Sequence, residues 1–240
     1  MPNPGTLEVF GDLECRDFDV WQLPRGPNAG APVETVSAAQ RARLQYAIVM
    51  SVADKGYNET TIADIVKIAR VSRSAFYAHF EDKEDCFLSA YEAAHLSLLQ
   101  TMKAGQDAKD DWRQRLSSSL RAYLGFKHAH PELAHAMLVE IHAAGINARR
   151  TRDWGHQRFA EMHRRLYERR CQAAGVAPCL PTEVFLATVA AVEEVVASYV
   201  CDGRTQDILD AEPAAMYILL SLYDNPNQGE YFRAFRESDS

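Results

Sequence analysis

The chain has 240 residues, 47% of them apolar, with 12 glycines, 10 prolines and a net charge of −7. That is enough chain for one large or two small domains around a sizeable core, and it excludes fibrous and low-complexity classes. The acidic balance excludes a protein coated in basic surface, so any nucleic-acid contact has to be local, with its charge segregated.

Residues 1–35 carry prolines, glycines and a net charge of −4 without a helical period, and they predict an extended, partly disordered N-terminal arm. Its Arg25 and Gly26 could reach a minor groove, or the arm could be a loose tail. The start of the chain shows no basic and apolar leader, so no signal peptide is expected. The nearest approach to a membrane helix, residues 184–201, is interrupted by Glu193 and Glu194. Five scattered cysteines (Cys15, Cys86, Cys171, Cys179 and Cys201) with no Cys-x-x-Cys predict free thiols in a cytoplasmic location.

From residue 36 the pattern is helical. Leu44, Ala47, Ile48, Ser51 and Val52 form one stripe of a first helix over 37–55, which Gly56 ends. Thr60 and Thr61 precede the next helix, with Asp64 placed for a capping box. Its inward face is Ile62, Ile65, Val66 and Ala69. A tight turn at Arg70 and Val71 leads to Ser72, the N-cap of a short helix over 73–78. There Phe76 faces inward, while Arg73, Ser74, Ala75 and Tyr77 are left outside. Asp82 caps a fourth helix running through Phe87, Tyr91, Ala94 and Leu98. Further helices follow from Asp111, from Pro131, over 146–174, over 182–202 and on to Tyr223. No strand alternation occurs after residue 36, so the class is all-α with about nine helices.

Two short helices joined by a tight turn, the second opening on small polar and basic side chains, are what a reader of the DNA major groove requires. Arg73 can pair with a guanine edge or a phosphate, and Ser74 and Tyr77 can donate to phosphates. Thr60 and Thr61 at one helix start and Lys83 at the next can hold the backbone. Over residues 36–84, seven bases and six acids leave +1, against −7 for the whole chain.

The run Gly56-Tyr57, Thr60-Thr61, Asp64-Ile65, Val71-Ser72, Phe76-Tyr77-Ala78-His79-Phe80 and Asp82-Lys83-Glu84 resembles the DNA-binding domain of the TetR family of transcriptional regulators. The resemblance covers about residues 38–90. It implies an all-helical homodimeric repressor that binds a near-palindromic double-stranded operator and is released by a small-molecule effector. It makes Ser72 to Tyr77 the recognition helix and Thr61, Tyr77, His79 and Lys83 phosphate contacts. The family usually has glycine where Arg70 stands, so the turn is expected to be strained or reshaped.

The resulting division is an arm (1–35), a helix-turn-helix domain (36–84), a ligand and dimerisation domain (85–223) and a tail (224–240). Trp112, Leu116, Tyr123, Met137, Ile141, Phe159, Met162, Val189 and Glu193 are candidate ligand contacts, each with the plainer alternative of a core position. Of the acids in apolar runs, Glu140, Glu193 and Glu194, one could face the cavity and select a cationic ligand. The last two long helices are apolar nearly all round, which predicts a dimer interface through Phe185, Val192, Val196, Tyr199, Met216, Leu219 and Leu220. The histidines and cysteines lack metal-site spacing, no cofactor is called for, no membrane partner is expected, and no catalytic motif occurs. The alternative function is a helical adaptor, or an effector-independent regulator, that uses the bundle for protein partners.

Overall fold

The computed structural model describes residues 33–107 and 111–224; residues 1–32 of the expected arm and 225–240 of the expected tail lie outside them. Nine α-helices are described: α1 (Val33–Glu59), α2 (Ile62–Ala69), α3 (Arg73–Tyr77), α4 (Lys83–Asp107), α5 (Trp112–Ala129), α6 (Pro131–Leu138), α7 (Gly145–Ala173), α8 (Thr182–Cys201) and α9 (Glu212–Tyr223). Two 3-10 segments, Glu140–Ala143 and Thr205–Ala211, stand between α6 and α7 and between α8 and α9. Among the described residues there is no strand.

The chain forms two compact units. Among the described residues, the first comprises 33–100 and 130–152, the second 101–107, 111–129 and 153–224. This differs from the division expected at residue 85. The segment 130–152 returns to the helix-turn-helix, and α4 and α7 each contribute to both units.

In the first unit, the expected stripe of α1 forms the core: Leu44, Ala47, Ile48 and Val52 are buried, as is Ser51. Gly56 breaks the helix at φ 85°, ψ 159°, a conformation that glycine adopts without a steric cost. The α2 capping box is present. Thr61 accepts from the Asp64 N–H, and the Thr61 N–H donates to the Asp64 carboxylate at 2.9 Å. Met137 and Ile141, expected to contact ligand, instead lie in this unit and are buried there.

In the second unit, α5, α8, α9 and the 3-10 segment Thr205–Ala211 pack on one another. Pro213 sits in the first turn of α9, where a missing N–H breaks no helical bond. By length and composition α8 could cross a membrane, and 39% of its apolar window is buried. That burial is one-sided: Phe185, Val189, Val192, Val196 and Val200 face in, while Ala187, Ala190, Glu194 and Ser198 face out.

Candidate nucleic-acid interface and ligand cavity

The interface begins with α3. Ser72 caps it by accepting from the Ala75 N–H at 3.1 Å, and the hydroxyls of Ser72 and Ser74 lie 2.9 Å apart. Phe76 is fully buried, with its ring centroid 5.8 Å from that of Phe80. That one anchor turns Arg73, Ser74 and Tyr77 outward, and all three are exposed. Ala75 is half-buried. The Arg73 guanidinium lies 5.8 Å from the Tyr77 ring centroid, with Nη2 3.4 Å from the Tyr77 hydroxyl. The two side chains are thus held side by side at the outer face.

Several predicted phosphate contacts have other partners. Thr60 is 2% exposed; its hydroxyl donates to the Gly56 carbonyl at 2.9 Å and lies 3.2 Å from Ser51 Oγ. Its side chain therefore belongs to the interior and not to the interface. Thr61 stays exposed. Lys83 Nζ donates to the Tyr57 carbonyl at 2.7 Å and lies 4.3 Å from the Tyr57 ring centroid, so it ties the start of α4 to the end of α1. His79 is half-buried and 3.3 Å from Gln40 Oε1. Burial, and then the nearby Arg41 charge, lower its pKa, so it favours the neutral form. Arg41 itself donates to the His79 carbonyl at 3.1 Å and to Ser89 at 2.6 Å. Two of the bases that make the segment positive therefore fix the fold.

The turn residue Arg70 sits in the left-handed region, φ 53° and ψ 45°; among the described residues no other non-glycine has positive φ. Glu140 acts at a different point. Its carboxylate accepts from the Tyr57 N–H at 2.6 Å, beside the break at Gly56. A Cβ added at Gly56 would stand 3.4 Å from Glu140 Oε2. Nothing local in the sequence signals this contact across 83 positions.

The second unit holds a cavity. Leu116, Tyr123, Phe159, Val189 and Glu193 line it, as expected. So do Met102, Leu120 and His163, which sequence reasoning missed, and Val192 and Leu219, which it placed at the dimer interface. Trp112 lines a neighbouring groove instead. Met162 is buried but does not line the cavity. Of the three acids, Glu193 alone lines it; Glu194 is exposed. The free volume is about 30 Å³, room for a water or two, so a larger ligand needs the lining to repack.

The polar groups around this cavity are deeply buried. Glu193 Oε2 lies 2.8 Å from His156 Nε2. Burial pushes the Lys127 ammonium down to about 8, opposed by the Glu193 charge. Burial alone pushes His163 down to about 4; its Nδ1 is 3.0 Å from the Tyr223 hydroxyl.

The predicted dimer residues divide. Phe185, Val192, Val196 and Leu219 are buried within their own chain and cannot present a surface. Tyr199, Met216 and Leu220 are half-buried. The outward apolar positions on α9 are Tyr217, 74% exposed, and Leu222. An all-apolar helix pattern does not reveal which side meets its own core.

Residues 47–90 match the model of the bacterial regulatory proteins of the tetR family. An uncharacterized HTH-type transcriptional regulator of Bacillus subtilis (strain 168), YuxN, is 32% identical over 69 residues, 27% of this chain. The chain matches only 24% of that relative's length. Among solved structures, FadR from Bacillus subtilis in complex with stearoyl-CoA is similar with a TM-score of 0.68 and 17% identity, over 75% of this chain and 97% of that one. The fatty acid degradation regulator FadR from Bacillus halodurans gives 0.66 and 16%, over 74% and 94%. A regulatory protein of the tetR family from Rhodococcus RHA1 gives 0.58 and 19%, over 75% and 96%. At these identities the likeness to solved structures is one of fold. Residues 47–90 thus carry a helix-turn-helix of the kind found in the bacterial regulatory proteins of the tetR family, and the all-α fold of such regulators extends over the rest of the described chain.

Proposed function

We propose that the protein is a cytoplasmic, non-enzymatic transcriptional repressor that binds a near-palindromic operator as a homodimer and leaves it when a small apolar effector enters the cavity of the second unit. The observation that carries the reading is α3, whose outer face of Arg73, Ser74 and Tyr77 is fixed by the buried Phe76 and the Ser72 cap. Exposed donors at the start of a short, anchored helix suit base edges and phosphates of a major groove. The effector reading is supported by the apolar lining, in which Met102 and the aromatic rings can repack. The Bacillus subtilis neighbour's stearoyl-CoA adds support for an aliphatic effector. Dimerisation is supported by the outward apolar Tyr217 and Leu222 of α9 beside the small outward residues of α8. Two copies of α3 would then read half-sites roughly 34–36 Å apart or a multiple of that.

A gel-shift assay on DNA flanking the protein's own gene tests the reading. A specific complex that weakens with salt is expected, and its absence sinks the proposal. Arg73→Ala is expected to weaken binding to that site by about 1–3 kcal/mol with a smaller loss on random DNA. Equal losses on both would contradict a base-reading role for Arg73.

A further inference from the structure

Two helices that line the cavity, and the residue that follows a third, also line a second space of opposite character. On α5, Leu116 faces the cavity and Trp112 the second space; on α7, His163 faces the one and Arg170 the other. On α9, Leu219 lines the cavity and Asp224, just past the helix end, lines the second space. These pairs are four, seven and five residues apart, about one to two turns of helix. The two spaces therefore follow one another along the same helices. The His163–Tyr223 hydrogen bond marks the junction, since His163 lines the cavity and Tyr223 precedes Asp224.

The second space is an open groove of about 640 Å³. Arg113, Arg115, Arg169 and Arg170 line it, against Asp111 and Asp224, an excess of two positive charges. Trp112 stands between two guanidiniums: that of Arg170 is 5.1 Å from its ring centroid and that of Arg113 is 5.6 Å. Both arginines reach the same carboxylate. Arg170 Nη2 donates to Asp224 Oδ1 at 2.8 Å, and Arg113 Nε donates to Asp224 Oδ2 at 3.0 Å. Stacking on an indole pre-aligns a guanidinium and reduces the entropy lost on pairing. Two guanidiniums closed on one carboxylate, one on each oxygen, form an anion site that a side chain of the protein now fills.

We infer that this groove is the head-group site of the effector, and that the effector is an anionic amphiphile. Its apolar body enters the cavity, and its carboxylate or phosphate takes the place of Asp224 on Arg113 and Arg170. The inference rests on the effector reading above. A neutral apolar compound would leave the groove unused, and a free anion would leave the cavity unfilled. The exchange also frees Asp224, whose backbone N–H closes α9 by donating to the Leu220 carbonyl at 2.9 Å. Head-group binding thus acts on the helix that carries the proposed dimer face.

Calorimetric titration of the full chain with laurate, dodecanol, lauroyl-CoA and inorganic phosphate tests this. Laurate is expected to bind at least about tenfold more tightly than dodecanol, the scale of a charge-assisted pair. Arg170→Gln and Arg113→Gln are expected to reduce laurate to the level of the alcohol. Asp224→Asn, which removes the internal competitor, is expected to tighten laurate binding, a gain that misfolding cannot mimic. Lauroyl-CoA binding more tightly than laurate assigns the head site to phosphate, and the reverse order assigns it to carboxylate. Equal binding of laurate and dodecanol, an unchanged preference in Arg170→Gln, or inorganic phosphate binding as tightly as laurate overturns the head-group site and leaves the effector reading standing. No binding of any probe by a protein that still holds its operator overturns both.

Discussion

The two compact units use polar side chains in opposite ways. In the unit that carries the helix-turn-helix, they hold the backbone. Thr61 and Asp64 cap α2, Ser72 caps α3, Lys83 and Glu140 grip opposite groups of Tyr57, and Arg41 holds the His79 carbonyl. In the other unit several of them are buried beside the cavity. Lys127, His156, His163 and Glu193 are each at most 9% exposed. A polar group that satisfies a turn or a helix end gives one defined geometry. A polar group buried beside a cavity is held at a desolvation cost, which a ligand or a proton can change. The first arrangement suits a surface that has to match a rigid groove, and the second suits a site that has to respond.

The largest expected effect removes the anchor of the first arrangement. Phe76→Ala should destabilise the first unit by about 3–5 kcal/mol, because the ring is fully buried and is the buried anchor of the five-residue α3. Urea denaturation measures the loss. The comparison predicts that operator binding fails while the second unit still binds effector. Failure of both together would mean that the units do not unfold separately.

The second effect belongs to the responsive unit. The His163 imidazole has an ordinary pKa of 6.5 and is pushed down to about 4 by burial. As pH falls through 6.5 the unfolded chain takes up a proton that the folded chain refuses, so stability falls from 6.5 to about 4 and levels off below. The whole window is worth about 3 kcal/mol. Urea midpoints measured across that range should show the slope, and His163→Gln should flatten it. An unchanged slope in the variant would assign the pH dependence to other groups.

How much of this was legible in the sequence follows the same division. Caps and turns depend on residues three or four positions apart, so Thr61 with Asp64, Ser72, Asp82 and the glycine break at Gly56 could be read locally. Burial within a helix that is apolar all round cannot. For Phe185, Val192, Val196 and Leu219, periodicity does not distinguish the side facing the chain's own core from the side facing a partner. The inward partners of Thr60, Lys83 and His79, namely Ser51, Tyr57 and Gln40, are set by tertiary packing and leave no local signal. The return of residues 130–152 to the first unit was invisible for the same reason: its signal is the Glu140 contact with Tyr57, which has no local pattern.

That contact gives the third test. Glu140→Ala leaves the Tyr57 N–H without its carboxylate and should destabilise the first unit by about 1–3 kcal/mol. Hydrogen exchange at the end of α1 should rise in the variant before exchange in α5 or α8 does. If exchange rises equally in both units, Glu140 supports the whole molecule and not the break at Gly56 alone.

The smallest expected effect falls on Arg70, the one non-glycine with positive φ among the described residues. A side chain in the left-handed region costs about 1 kcal/mol, and glycine avoids that cost but loses more entropy on folding. Arg70→Gly should therefore stabilise the first unit by about 0.5–1 kcal/mol. The charge works in the other direction. Arg70 is exposed in the turn just before α3, and a phosphate contact made there would strengthen binding to every sequence alike. Measuring stability and DNA binding on the same variant separates the two roles. Greater stability with unchanged binding means that the arginine is simply a strained turn residue. Greater stability with weaker binding to specific and random DNA, and a salt dependence shallower by about one counterion, means that the strain is retained for a phosphate contact. In that case even the rigid unit holds one group at a cost for the sake of a ligand, and the contrast between the units is one of degree.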